Sequence, residues 1–222
     1  MRFSRHVSMF IAAIVLAQFA CAADKDAAKP TTKPASGAAA AADGSAPLRR
    51  LPGLEGWHVT GNGNWTYKDG IIEGKQGADV KSYTHVVSDK SYKNFKATLM
   101  FKCVAGNSGF YFRASPQPGD KMVGIQSEID AEKNVGGLYE SYGRNWLNLP
   151  SAERVKEYFK PQEWNEMTVE GHGQHVVVHI NGKKAGEIDN MNIRTEGPFA
   201  LQMHGGQDVN VLFKDIKLEE LP

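Results

Sequence analysis

Cysteine is scarce in this chain, with two among 222 residues, Cys21 and Cys103. Two thiols cannot staple a small scaffold, so a disulfide-rich mini-protein is excluded. No apolar run reaches the ~20 residues that a membrane-crossing helix needs; the longest, Met9–Ala17, stops well short, and no stable membrane span is expected. An excess of one charge is also missing: 26 Lys+Arg face 25 Asp+Glu, for a net charge of +1. A protein that grips nucleic acid through its phosphates needs a strongly basic face, so no nucleic-acid partner is expected. The chain contains no Gly-x-Ser-x-Gly elbow, no Walker loop and no dinucleotide fingerprint. An organic cofactor is therefore not expected either.

What is present divides into three parts. Arg2 and Arg5, the apolar run from Met9, and the small residues around Ala20-Cys21-Ala22 have the order of a secretory signal peptide over 1–23. This places the protein in the periplasm or outside the cell. Lipid attachment at Cys21 is a weaker reading, because Gln18 stands where the usual Leu would be. Residues 24–50 form an Ala/Pro/Lys-rich linker that has no aromatic residue and cannot offset its chain entropy by burial. If the signal is removed, Cys103 is left alone and reads as a small buried hydrophobe.

From Leu51 to Pro222 the chain punctuates itself with Gly, Asn and Asp every eight to twelve residues, and short β-branched and aromatic runs lie between. That spacing predicts an all-β sandwich of antiparallel strands in a single domain. Asp69-Gly70 and Asn181-Gly182 mark hairpins, Gly106–Gly109 reads as a turn, and only Ala152–Tyr158 reads as a helix. Side chains alternate faces along a strand. Phe110 and Phe112 therefore oppose Tyr111 and Arg113; Ile125, Ser127 and Ile129 oppose Gln126, Glu128 and Asp130; Phe199, Leu201 and Met203 oppose Gln202 and His204. Three apolar rows suit a core. The three polar rows, rich in amides, carboxylates and guanidinium, suit a groove that pairs with sugar hydroxyls, although an exposed face of cross-strand pairs would also fit.

Other constellations are weaker. His175 and His179 would share a strand face about 13 Å apart, too far for one zinc. Of the four tryptophans, Trp65 and Trp164 lie in strand-like contexts and read as core. Trp146, in an irregular segment, is the candidate groove wall.

Glu128-Ile-Asp-Ala-Glu132 places three carboxylates on one strand face, where mutual repulsion raises one pKa and leaves a proton donor beside an anion. This pattern resembles the acidic strand of jelly-roll β-glucanases, and would make Glu128 the nucleophile and Glu132 the acid/base of a retaining enzyme. A broader resemblance covers nearly all of 51–222. Trp57, Asp69-Gly70, Asn107–Arg113, Gly124–Asp130, Gly136–Glu140, Glu163–Asn165, Asn181-Gly182 and Ala200–Gly205 together resemble the 3-keto-disaccharide hydrolase family, also described as 3-keto-α-glucoside 1,2-lyase/3-keto-2-hydroxyglucal hydratase. That resemblance implies a concanavalin-like jelly roll of two antiparallel sheets that acts on an oligosaccharide or glycoside. The implied chemistry is removal of the C2 proton beside a C3 ketone, β-elimination at C1 and hydration of the enone. It implies Glu128 or His204 as base, Arg113 as enolate stabiliser and Asp130 as an orienting group, with Gln126, Tyr139 and Gln202 on hydroxyls and Trp146 as a wall. A divalent cation on Glu128, Asp130 and His204 would be an alternative to Arg113. A non-catalytic carbohydrate-binding module is the alternative to an enzyme.

Overall fold

The structure is a computed structural model that describes residues 48–222; the signal over 1–23 and most of the linker lie outside the described residues. The linker's last residues are already attached to the sheet. Arg49 bridges Val59, and its guanidinium donates to Gly63 O at 2.7 Å.

In chain order the strands are β1 (Trp57–Thr60), β2 (Asn64–Lys68), β3 (Ile71–Gln76), β4 (Thr84–Tyr92), β5 (Phe95–Ala105), β6 (Asn107–Gln117), β7 (Lys121–Asp130), β8 (Leu138–Ser141) and β9 (Asn145–Asn148). The helix α1 (Ala152–Lys156) follows, then β10 (Asn165–His172), β11 (His175–Ile180), β12 (Lys183–Ile188), β13 (Gly197–Met203) and β14 (Val209–Glu220). Two seven-stranded antiparallel sheets result. The first, called the site sheet below, runs β1-β4-β13-β6-β7-β8-β9; the second runs β12-β11-β10-β5-β14-β3-β2. With one short helix, this is the concanavalin-like jelly-roll sandwich expected.

Local chemistry accounts for most of the joints. Asp69 and Gly70 both take positive φ in the β2–β3 hairpin, as Asn181 and Gly182 do between β11 and β12, which is the conformation a two-residue turn needs. Ser151 caps α1 by accepting from Arg154 N at 3.2 Å. The expected turn over 106–109 contracts to Gly106 alone. β5 and β6 belong to different sheets, so the chain steps from one layer to the other there instead of folding back as a hairpin. Gly106 has φ +72°, and a Cβ would run into Asp208 O.

The layers are held by aromatic packing. Phe199 of the site sheet stacks on Phe110 (centroids 5.3 Å, planes 9° apart) and meets Phe95 of the second sheet edge-on at 4.8 Å. Tyr92 closes the same ring from β4 at 4.8 Å. Trp65 is core, and its indole N–H donates to Thr84 Oγ1 at 3.0 Å. Trp164 is not; it stays half-buried at the surface under the Lys214 ammonium, 4.5 Å from its ring. Cys103 is buried and free, and burial pushes its thiol up to about 12, as suits a structural residue. Phe199→Ala should cost roughly 3–5 kcal/mol, read as a lowered urea midpoint at unchanged m-value. A loss below about 1 kcal/mol would show that this ring does not organise the core.

Candidate active site

Strand parity delivers the polar rows to the outer face of the site sheet, turned away from the core. Across β4, β13, β6 and β7, His85, Gln202, Gly109 and Glu128 lie in one register row. The neighbouring row runs Val87, Ala200, Tyr111, Gln126, Tyr139 and Trp146. On the other side, His204 follows β13 and donates its N–H to Asn107 O at 3.2 Å, while Asn107 pairs with Asp130. A groove of about 630 Å³ lies over these rows, within the size range of small-ligand pockets. Glu128, Asp130, His204, Gln126, Tyr139, Gln202 and Trp146 all line it.

Glu128 is buried in its floor. Asn107 Nδ2 donates to one carboxyl oxygen and Gln126 Nε2 to the other, at 3.1 Å. Burial pushes this carboxyl up to about 7, against the Asn107 amide, with the Asp130 carboxylate adding to the rise. Gly109 makes the arrangement fit, since a Cβ there would land on the Gln126 carboxamide. Beside it, Gln202 Nε2 donates to Tyr111 Oη at 3.0 Å, and Tyr111 shares a hydrogen with Ser141 Oγ at 2.5 Å. His85 sits edge-on to Tyr111 at 5.8 Å; burial lowers its pKa to about 3, so the ring is neutral at ordinary pH. Its Nε2 has no hydrogen-bond partner among the described residues. The opposite wall is aromatic. Tyr139 meets Trp146 edge-on at 5.1 Å and donates to Asn145 Oδ1 at 2.9 Å, and exposed Tyr142 stands at the rim.

Two expected partners do not join this group. Arg113 takes φ +49° at the register shift between Phe112 and Ser115, which turns its side chain away from the groove. The guanidinium is buried, donating to Lys93 O at 2.8 Å and Gly173 O at 2.7 Å and lying 5.4 Å from the centre of the Phe95 ring. It ties loops together and faces no groove atom. Glu132 does not share a face with Glu128, because β7 ends at Asp130. Asp130 Oδ1 accepts the N–H groups of Glu132 (2.8 Å) and Lys133 (3.1 Å), bending the chain into a turn, and Glu132 is left exposed outside the groove. The glucanase pair is therefore not assembled.

Glu128, Asp130 and His204, the side chains that would hold a divalent cation, all line the groove. Among the described residues, no three His, Cys, Asp or Glu side chains are grouped to hold a metal. His204 Nδ1 lies 2.8 Å from Gly205 O and so carries a proton, and the lone pair on Nε2 accepts from Tyr83 Oη at 2.9 Å. His172 and His175 face each other across the β10–β11 hairpin, and His175 pairs with Glu187 at 2.9 Å.

Several groove residues escaped the sequence reading. Asn107 was hidden inside an apparent Gly-Asn-Ser-Gly turn. Lys133 is the lysine among the lining residues, and it stands beyond the end of a strand, where alternation has no reach. Tyr83 arrives from a loop with no periodicity; only an aromatic residue immediately before a strand hinted at it.

The fold and this site define a jelly-roll sandwich with a polar, partly aromatic groove across one sheet and a buried carboxyl in its floor. Residues 51–219 match the 3-keto-alpha-glucoside-1,2-lyase-like domain, and the chain belongs to that family. Among solved structures, it is similar to a protein from Parabacteroides distasonis described provisionally as a glycosyl hydrolase, at 25% identity and TM-score 0.58, covering 75% of this chain and 89% of that one. The carbohydrate-binding module CBM66 of Bacillus subtilis shares the fold at 15% identity and TM-score 0.58, covering 76% and 98%. So does the exoplasmic/lumenal domain of VIP36 bound to Ca2+ and Man3GlcNAc, at 15% identity and TM-score 0.56, covering 79% and 88%. A search of curated proteins finds no match.

Two predictions follow from the placements of Glu128 and Arg113. A carboxyl raised from 4.5 to about 7 by folding favours the fold fully only below its ordinary value, and that contribution disappears as pH rises through about 7. Relative to wild type, Glu128→Gln should therefore gain up to about 3 kcal/mol of stability between about pH 4.5 and 7. Thermal melts across that window check it; a pH-independent difference would contradict the shift. Arg113→Met should cost about 2–4 kcal/mol by removing the guanidinium that Lys93 O and Gly173 O accept from, while molecules that fold keep their ligand binding or turnover. A selective loss of function in that variant would return Arg113 to the site.

Proposed function

We propose that this chain cleaves 3-keto-glucosides by C2 proton abstraction, β-elimination and hydration. The observation that carries this reading is the Glu128 carboxyl. It is buried in the groove floor, held by two amides, and raised to about 7, the range in which a carboxylate serves as a general base near neutral pH. Family membership and the likeness to the Parabacteroides protein support a glycoside substrate. An export signal over residues 1–23, as the sequence suggests, would put the reaction outside the cytoplasm.

A ketone at C3 acidifies the C2–H. Glu128 takes that proton, and the electron pair moves into the C3 carbonyl as an enolate. As the enolate collapses, the C1–O bond breaks and the departing oxygen takes a proton, leaving a 1,2-enone. Water then adds at C1, and Glu128, whose carboxyl exchanges its proton with solvent at the enone stage, delivers one to C2. With Arg113 turned away, the Lys133 ammonium takes over the enolate charge, and Asp130 orients it by accepting from its backbone N–H. Gln126, Gln202 and Tyr139 hold hydroxyls, and Trp146 stacks on the sugar or its aglycone. The same amides and aromatic wall would serve a binding module that does no chemistry, and turnover separates the two.

The test incubates the full chain with a methyl 3-keto-α-glucoside in D2O, beside the unoxidised glucoside. Methanol should be released from the keto form only, with deuterium at C2 of the product. kcat/KM should rise with pH through about 7, because Glu128 must be ionised to accept the proton. Glu128→Gln should lower kcat by about 10² or more. Saturable binding of the keto-sugar with no release would favour the binding module.

A further inference from the structure

A buried polar atom without a partner works against folding, because it gives up its hydrogen bonds to water and gains none. Among the described residues, three such atoms belong to side chains that line the groove: His85 Nε2, Gln126 Oε1 and Gln202 Oε1. His85 and Gln202 are register partners on β4 and β13, so their side chains stand on one face of the sheet, a single strand spacing apart. Tyr111 adjoins both. Its ring centre lies 5.8 Å from that of His85, and its hydroxyl accepts from Gln202 Nε2 at 3.0 Å. That bond decides which end of the Gln202 amide is left over. It is the carbonyl oxygen, which only accepts.

The imidazole has the complementary need. Its Nδ1 lies 3.5 Å from Thr60 Oγ1; with that hydroxyl donating to Nδ1, the proton of the neutral ring sits on Nε2. We propose that His85 Nε2–H and Gln202 Oε1 together bind one hydroxyl group of the sugar, which makes His85 a specificity-determining residue of the groove. A hydroxyl satisfies both atoms at once, since it accepts from the ring and donates to the amide. A ketone or an ether has no proton to donate, and a methyl group neither donates nor accepts. The inference rests on the groove being the glycoside site proposed above, and is independent of the chemistry carried out there.

The register also indicates which part of the sugar is read. In the row His85, Gln202, Gly109, Glu128, the residue between Gln202 and Glu128 is a glycine. Having no side chain, Gly109 leaves room for the Gln126 carbonyl oxygen, the third unpartnered atom. A pyranose seated over that oxygen with C2 toward Glu128 turns its opposite edge toward Gln202 and His85. On a 3-keto-glucoside that edge carries the hydroxyls of C4 and C6, and one of these is the group bound. Burial keeps His85 neutral, with its pKa lowered to about 3, so the ring donates a hydrogen bond without bringing a cation near Glu128.

Calorimetric titration of the full chain with methyl 3-keto-α-glucoside and its 4-deoxy and 6-deoxy analogues reads this directly. The Glu128→Gln background is used, so that the sugar survives the titration whether or not wild type turns it over. One of the two deoxy sugars should bind about 10- to 10²-fold more weakly than the parent. Adding His85→Phe should weaken the parent by the same factor and leave the Kd of that deoxy sugar unchanged. His85→Gln, which returns an amide N–H near the place of Nε2, should restore part of the discrimination. Gln202→Met leaves the buried imidazole in place and tests the same hydroxyl if His85→Phe does not fold, as a melting curve shows. Equal binding of all three sugars before His85 is changed would overturn the proposal. So would an equal loss for all three in a folded His85→Phe variant, the mark of a structural role. Discrimination that depends on His85, in a protein whose wild type releases no methanol, would uphold hydroxyl recognition and remove the elimination. No binding of any of the three would remove both.

Discussion

Phe199, Phe110 and Phe95, packed between the two sheets, set the conditions for everything on the outer face. Side chains on a strand alternate, so once the core claims Phe199, Leu201 and Met203, the register leaves Gln202 and then His204 facing outward. The same constraint on β6 and β7 turns Tyr111, Gln126 and Glu128 toward the outer face in adjacent rows. A slip of one residue in any of these strands would bury an amide or a carboxylate against phenylalanine. Such a slip loses apolar burial and strands a polar group at once, so the register is strongly determined. The groove is thus the reverse side of the core.

The site departs from ordinary sheet surface in how deeply it buries polar groups. An exposed face of a sandwich is filled by solvated side chains, whereas here Glu128, Gln126, Gln202 and His85 are all buried beneath the groove. Holding a carboxyl there works against the fold whenever the group is ionised, and the strain shows as a pKa moved to about 7. Functional sites are where such costs are tolerated. His85 shows the same economy from the other side: its burial keeps it neutral, so it offers the groove an imidazole without adding charge beside Glu128.

Much of this was legible in the sequence. Period-two alternation identified the outward rows of β7 and β13, and with them Glu128, Gln126, Asp130, Gln202 and His204. Gly and Asn/Asp spacing gave the sandwich, and the ordered blocks from Trp57 to Gly205 identified the family. Alternation failed at Arg113 because it assumes an unbroken strand, and a register shift with positive φ turned that residue round. It failed again at Glu132, where Asp130 captures two backbone N–H groups and ends β7 two residues before the acidic pattern does.

By itself, then, the sequence determined the sheet faces and the chemical character of each row, since local periodicity is a property of neighbouring residues. Tertiary structure decided which rows stand together. The union of Asn107 with Glu128, and of Tyr83 with His204 across 121 positions of chain, depends on how strands are ordered across the sheet and how a loop docks on a pair of glycines. The depth at which Glu128 is buried, and so the pH at which it can accept a proton, also comes from that packing. These are contacts between segments remote in the chain, and no short window of residues contains them.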